Sequence, residues 1–549
     1  MKRNKRRNIL IGILLGATIL FAVGNTDIYK EISNSVRLYN EVYRQLFTNY
    51  VDPIKTREFT ENSIRQMVKE LDPYTVFLTE DEKEPLETLT KGKYGGVGLR
   101  ISMRKDTLTV IAPMDGSPAS RANILPGDQI LKVDSVSTVG VELDKSAKMI
   151  RGKIGSTVIL TIRRPGISGI NEYTLTRENI NVTDVSYSGM LEDHIAYIRL
   201  SGFSKGASQE VRDAIRALQK EDRRMKGLIL DLRGNPGGLL TEALAVSELF
   251  TNVGDTLLLT KGRTSMANKV FIASEKPALP EDVKLAVLIN QGSASASEIV
   301  AGVMQDLDRG IVLGAPSFGK GLVQTVFRLD RDHSMKITTA KYYIPSGRLI
   351  QKPDYLNNPE LVEQNIPGDT IFFSRNRRVL KGGGGIAPDI VIKGEPLTDF
   401  SRELWRQNMF YSYAIHYKSV HGEIPTPVVV DEKIVEDFRK YLESGEFTYN
   451  HKYEKRLKDL EKELLKDEYF ENIRNPFQSI YAIYDSLKAG EFDQNLDQIR
   501  RGLASELSTL AGGLSERIKN DLNSDLVVEK AVELLLDKTV YQMTLGYAH

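Results

Sequence analysis

Apolar positions recur at helical spacing in the first part of the chain. Val36, Tyr39, Val42, Tyr43 and Leu46 fall on one face, and Ile64, Met67 and Val68 continue the pattern, so residues 25–92 are expected to form a helical region. Asp72-Pro73 closes the second helix, because proline cannot extend a helix and restrains the residue before it. From residue 93 the period changes. Short β-type runs at 107–111 and 157–162 alternate with Gly and Pro turns around one helix near 146–150, which implies a small, mostly β domain over 93–178. Over 179–400 the apolar runs 226–232 and 285–289 each lead through a loop of small residues into a helix, 241–250 and 297–304. Strand, loop and helix in repetition imply a largely parallel sheet with its chemistry at the C-terminal ends of the strands. Residues 401–549 return to helical spacing, with Ile434, Phe438, Tyr441 and Leu442 on one face and Leu457, Leu460 and Leu464 on another.

The first residues carry a different signal. Residues 1–8 hold five Lys or Arg, and residues 9–23 are uncharged and mostly apolar. This is the pattern of an export signal, either cleaved after Gly24 or retained as an anchor. The positive-inside rule then places the rest of the chain outside the cytoplasm, in the periplasm or cell envelope, with residues 9–23 anchoring it to the inner membrane if they are kept.

Composition removes several classes of function. With 74 basic and 73 acidic side chains the net charge is +1, so no overall field draws the chain to nucleic acid. The absence of cysteine excludes disulfides, thiol nucleophiles and Cys-built metal sites. The six histidines form no close pair of the zinc-hydrolase type, so no metal and no other cofactor is expected.

Three stretches carry chemistry. QGSASASEI at 291–299 follows an apolar strand and opens a helix. Its small residues let a substrate backbone approach, and N–H groups at a helix start can hold an oxyanion. A serine hydroxyl still needs a base. His194 and His333 sit in polar contexts that read as surface positions. A lysine serves instead when desolvation favours its neutral form. Lys320, in SFGKGLVQTVF at 317–327, lies between two glycines among apolar residues, and the nearest acid in sequence is Asp330. Gln324, four residues on, is expected to share a face with Lys320 and to orient the amine without adding negative charge. DLRGNPGG at 231–238 ends another strand, and its Asn-Pro turn and paired glycines bare backbone N–H groups for a second oxyanion donor.

Together these stretches resemble the carboxyl-terminal processing proteases, or tail-specific proteases. LDPYTVFL at 71–78, AKYYIPSGRLIQ at 340–351 and GGGIAPDI at 383–390 extend the resemblance, and YGGVGL at 94–99 with SPASRANILPGDQILKVD at 117–134 is similar to that family's PDZ domain. The resemblance runs from about residue 30 to residue 395, in the family's order. It implies a multidomain α+β chain: a signal or anchor at 1–24, the N-terminal helical region at 25–92, a PDZ-like domain at 93–178, an α/β serine protease core at 179–400 and a C-terminal helical extension at 401–549.

The resemblance also implies roles. Ser295 is the nucleophile, Lys320 the general base and Gln324 its orienting partner, with Gly238 and Ala296 donating to the oxyanion. Gly96, Val97, Gly98 and Leu99 form the loop that captures a terminal carboxylate while the substrate tail adds to a sheet edge. The implied activity is cleavage of exported proteins near a free C-terminus. In this family such helical extensions mediate oligomerisation or adaptor binding; a helical shell over the protease core is the plainer expectation for residues 401–549. The alternative reading is an exported PDZ scaffold that binds tails on a catalytically silent protease fold.

Overall fold

The computed structural model describes residues 29–104, 106–358, 371–445, 447–449, 453–465 and 470–547. The expected export segment at 1–24 lies outside them. Among the described residues no helix is long and apolar enough to cross a membrane. The described residues divide into two compact units, one of residues 29–77 with 356–358 and one of the described residues in 78–355 and 371–547.

In the smaller unit residues 29–49 are helical and are followed by the helix Thr56–Lys69. Phe47 meets Phe59 edge-on at 5.5 Å, and Tyr43 Oη lies 2.7 Å from Thr60 Oγ1. Much of the apolar face read from the sequence (Val36, Tyr39, Val42, Leu46) stays exposed.

The larger unit contains three layered parts. The first is a β domain whose main sheet runs in the order Leu99–Arg104, Thr107–Pro113, Gln129–Val133, Thr157–Arg163, Asn171–Thr176. The helix Leu143–Ile150 packs beside its edge strand Leu99–Arg104, and Val97, Leu108, Val110, Ile130, Leu160 and Ile162 form its core.

The second part is the α/β core. Its six-stranded sheet has the order Val185–Met190, Ile195–Leu200, Gly227–Asp231, Lys284–Ile289, Ile311–Gly314, Ile390–Val391. The first pair is antiparallel and the remaining pairs are parallel. Because successive strand residues point to opposite faces, each strand is split between two hydrophobic layers. Ile198, Leu200, Leu228, Leu230, Val287 and Ile289 pack with the helices Ala207–Glu221, Leu240–Glu248 and Ala296–Asp306. Ile195, Tyr197, Ile229, Ala286 and Leu288 face the other way, onto Val528, Ala531, Leu534, Leu535 and Tyr541. These last residues belong to the helices Leu526–Leu536 and Lys538–Thr544, so these helices close the second face of the α/β sheet. A further antiparallel sheet, ordered Leu322–Arg328, Ser334–Tyr343, Thr256–Gly262, Lys269–Ile272, stands beside this core.

The third part is helical. Phe400, Leu404, Phe410, Tyr413, Phe438, Leu503 and Leu507 form a separate core within residues 399–522. This body touches the β domain through Arg104, whose guanidinium reaches Glu506 at 3.1 Å and Asn408 Oδ1 at 3.1 Å. The fold class expected from the sequence is the one observed. The physical addition is that the helices Leu526–Leu536 and Lys538–Thr544 are part of the α/β core and not only a shell outside it.

Candidate active site

The nucleophile candidate sits where the strand Lys284–Ile289 turns into the helix Ala296–Asp306. Ser295 is the N-cap of that helix at φ 54°, ψ −109°, a backbone region that a non-glycine residue occupies at a cost of about 1–3 kcal/mol. Its alanine neighbours and an adjoining glycine make this possible. A Cβ on Gly237, itself at φ +99°, would lie 2.9 Å from the Ser295 Cβ and 2.7 Å from the Ala294 carbonyl. The loop bearing Gly238 is therefore pressed directly onto the serine turn.

The other two serines of the SASAS run are committed elsewhere. Ser293 Oγ donates to the Leu232 carbonyl (2.8 Å) and accepts from the Asn290 N–H (3.0 Å). Ser297 Oγ donates to the Asn235 carbonyl (2.9 Å). Both are fully buried, whereas Ser295 between them is half-buried. The outer serines fasten the DLRGNPGG loop to the serine turn. Asn235 completes the fastening, as its amide donates to the Leu200 carbonyl (2.8 Å) and its Oδ1 accepts from the Gly237 N–H (2.9 Å).

Lys320 lies in the loop between the strands Ile311–Gly314 and Leu322–Arg328. The structure joins it to Ser295 through Glu298, a residue not singled out from the sequence. Oε2 of Glu298 accepts from the N–H groups of both Ser295 (2.8 Å) and Lys320 (2.9 Å). Its Oε1 accepts from the Gly319 N–H (2.7 Å) and from Ser317 Oγ (2.5 Å). All four of these partners are donors, which suits a carboxylate. Glu298 is nonetheless fully buried, and that burial pushes its carboxyl above the ordinary range against the pull of those hydrogen bonds. Tyr342 makes the second link, since its hydroxyl contacts the carbonyl oxygens of Ser295 (3.2 Å) and Lys320. The sequence signal for Glu298 was its place three residues after a helix N-cap, where a carboxylate reaches back to the cap N–H.

The remaining expected residues are placed as follows. Ala296 occupies the first helical position, where an N–H has no intrahelical partner. Gly238 passes so close to Phe203 that a Cβ would meet its carbonyl oxygen at 2.4 Å. Gln324 is on the strand Leu322–Arg328 just after a register irregularity, and its amide contacts Thr338 Oγ1 at 3.4 Å, the long end of hydrogen bonding. The expectation that Gln324 and Lys320 share one regular face does not hold, because Lys320 precedes the strand and the ladder shifts between Val323 and Gln324. His194 is paired with Asp222, and His333 Nδ1 lies 2.8 Å from Asp330 Oδ2.

In the β domain Gly96 ends a short strand and Val97 is buried. Gly98, at φ +74°, lies where a Cβ would meet Ser117 Cβ at 2.2 Å, and Leu99 opens the edge strand. The Gly98 carbonyl accepts from the Met114 N–H (2.8 Å) and from Ser117 Oγ (3.2 Å), so the loop is shaped from behind. Among the described residues the strand Leu99–Arg104 pairs only with Thr107–Pro113, leaving one edge for an added strand.

Comparison with known proteins bears on the same elements. The model of peptidase family S41 matches residues 194–357, that of the PDZ domain residues 87–163, and that of the C-terminal helical domain of a probable PDZ-protease residues 400–535. A carboxyl-terminal-processing protease of Synechocystis is 36% identical over 419 residues, covering 70% of this chain and 96% of that one. A carboxy-terminal-processing protease of Bartonella bacilliformis is 34% identical over 365 residues, covering 65% and 82%. Among solved structures, a photosystem II D1 C-terminal processing protease aligns over 66% of this chain and 88% of its own at 26% identity, with a TM-score of 0.36.

Proposed function

Because this chain belongs to the carboxy-terminal processing proteases, serine-type peptidases of family S41 that carry a PDZ domain, we propose that it cuts exported proteins near their C-termini with a Ser295–Lys320 dyad. One observation carries the assignment of the dyad. The backbone N–H groups of Ser295 and Lys320 share a single oxygen of buried Glu298, while the hydroxyls of Ser293 and Ser297 are spent on holding the neighbouring loop.

In this reading the neutral Lys320 amine takes the proton from Ser295 Oγ as the oxygen attacks the peptide carbonyl. The N–H groups of Gly238 and Ala296 stabilise the oxyanion, each worth about 3 kcal/mol in comparable sites. Lys320, oriented by Gln324, then gives its proton to the leaving amine, and water releases the acyl group. Glu298 and Tyr342 hold the two loops in register. In this reading the domains keep the bounds expected from the sequence, with the helices Leu526–Leu536 and Lys538–Thr544 seated on the α/β sheet. Residues 1–24 direct export to the cell envelope, and the substrate tail is captured by Gly96, Val97, Gly98 and Leu99, adding a strand along Leu99–Arg104.

Capture of a carboxylate gives a direct test. An unstructured protein ending in apolar residues should be cleaved with KM about ten-fold lower than the same protein bearing a C-terminal amide, because the amide loses a charge-assisted contact to the backbone nest. Mass spectrometry of the products should place the cut near the C-terminus. Equal KM for acid and amide would remove this loop as the carboxylate site.

A further inference from the structure

The loop that presents Gly238 leaves the sheet at Asp231, and its arginine is tied to the C-terminal helical extension. Arg233 lies between two carboxylates. Its Nε is 3.0 Å from each oxygen of Asp231, and its Nη2 is 2.6 Å from Asp231 Oδ2. On the other side Nη1 and Nη2 reach Asp525 Oδ1 at 3.1 Å and Oδ2 at 2.7 Å, a two-point fork. Asp231 is fully buried and also accepts from Tyr197 Oη (2.6 Å) and the Arg233 N–H (2.9 Å). Burial works against its charge, but the Arg233 guanidinium outweighs it and holds the carboxyl below the usual range.

Asp525 is itself a fixed point. Its Oδ1 caps the helix Leu526–Leu536 by accepting from the N–H groups of Val527 (3.0 Å) and Val528 (3.2 Å). That helix is seated on the protease sheet through Val528, Ala531, Leu534 and Leu535. The loop is thus held at two ends: Gly237 abuts Ser295, and Arg233 is clamped to a rigid helix from the C-terminal extension.

We infer that Asp525 is a positioning residue for the oxyanion loop, acting through Arg233 from the C-terminal helical extension. The inference rests on Gly238 and Ser295 having the roles proposed above. An oxyanion donor acts only within a few tenths of an ångström of its station, so loosening this clamp weakens the transition state and leaves substrate binding alone. The C-terminal extension then has a part in catalysis that does not require a partner.

Cap-preserving substitutions separate this role from a structural one. Asparagine caps a helix as well as aspartate but cannot offer Arg233 the charged two-point fork, whereas glutamate keeps the charge and is too long for the cap. In the full-length protein Asp525→Asn should lower kcat about ten-fold, with KM within about two-fold and the melting temperature nearly unchanged. Asp525→Glu should melt lower yet keep a higher kcat than the asparagine variant. Asp537→Asn, the same change in the cap of the next helix, should leave kcat unaltered. A kcat that follows melting temperature across the series, or full turnover in Asp525→Asn, overturns the inference. Ser295→Ala in the same assay separates the two levels. If it is dead while Asp525→Asn is fully active, only the positioning role fails. If it still cleaves, the site itself is wrong and the inference goes with it.

Discussion

Lys320→Arg is expected to lower kcat by about two to four orders of magnitude, with the fold intact, because general-base assistance is worth about that much and arginine cannot give up its proton. The substitution keeps a long apolar stem but puts a permanent charge where the reactive form is neutral. What it removes is the neutral form. The N–H that donates to Glu298 and the carbonyl that contacts Tyr342 are backbone groups, so the loop's tethers survive the change. The wild-type rate should fall as the solution is made more acid, since a protonated lysine cannot accept the serine proton, and the residual rate of the arginine variant should lack that dependence. Stopped assays of kcat from neutral to acid pH check both. An arginine variant with more than about a tenth of wild-type turnover would remove Lys320 as the base.

Glu298→Gln is expected to cost about two orders of magnitude in kcat while changing the melting temperature little. The carboxylate takes two donors on each oxygen, and a glutamine can serve only one pair, turning its own N–H groups on the other. Either orientation breaks the register of a loop that carries the chemistry. Stability suffers less, because replacing a buried charge by a neutral group removes a desolvation cost as well. The pH behaviour separates the two effects. Burial raises the Glu298 carboxyl above its unfolded value, so the stability linked to this group is fully present below the ordinary carboxylate range and is lost as pH rises through the raised folded value. Activity runs the other way, as protonation places a hydrogen among four donors. Acidification through the window above the ordinary carboxylate range should therefore lower kcat without lowering the contribution of Glu298 to stability. Parallel measurement of kcat and melting temperature against pH checks this, and a glutamine variant that loses both together would make Glu298 merely structural.

Much of this was legible in the chain. The strands ending at Asp231 and Ile289 announced themselves as apolar runs bounded by loops of small residues, and the structure places both side by side in the parallel sheet. The order of β domain, α/β core and helical extension followed from changes in hydrophobic period. The antiparallel sheet built on Thr256–Gly262 and Ser334–Tyr343 was not read, since its strands are partly polar and pair across long stretches of sequence. Gln324 illustrates a local limit. Spacing alone put it on a face with Lys320, but a register irregularity at Val323 breaks the regularity on which spacing depends. Glu298 and Asp525 were missed for a different reason. Glu298 reaches back to a helix cap and Asp525 is one, roles that local sequence can suggest, while the second partner of each lies far away in the chain. The spacing at Ile434, Phe438 and Leu442 and at Leu457, Leu460 and Leu464 marks residues 401–549 as helical, but helical spacing does not say that the last helices pack on the open face of the protease sheet.

The central claim is that Ser295 is the nucleophile of a working peptidase. The most direct measurement sets the purified protein beside its Ser295→Ala variant on an unstructured substrate with an apolar, free C-terminus. Cleavage by the wild type alone, with the variant at background, is the expected result. Equal cleavage by both would contradict it, because the hydroxyl that begins the reaction would then lie elsewhere.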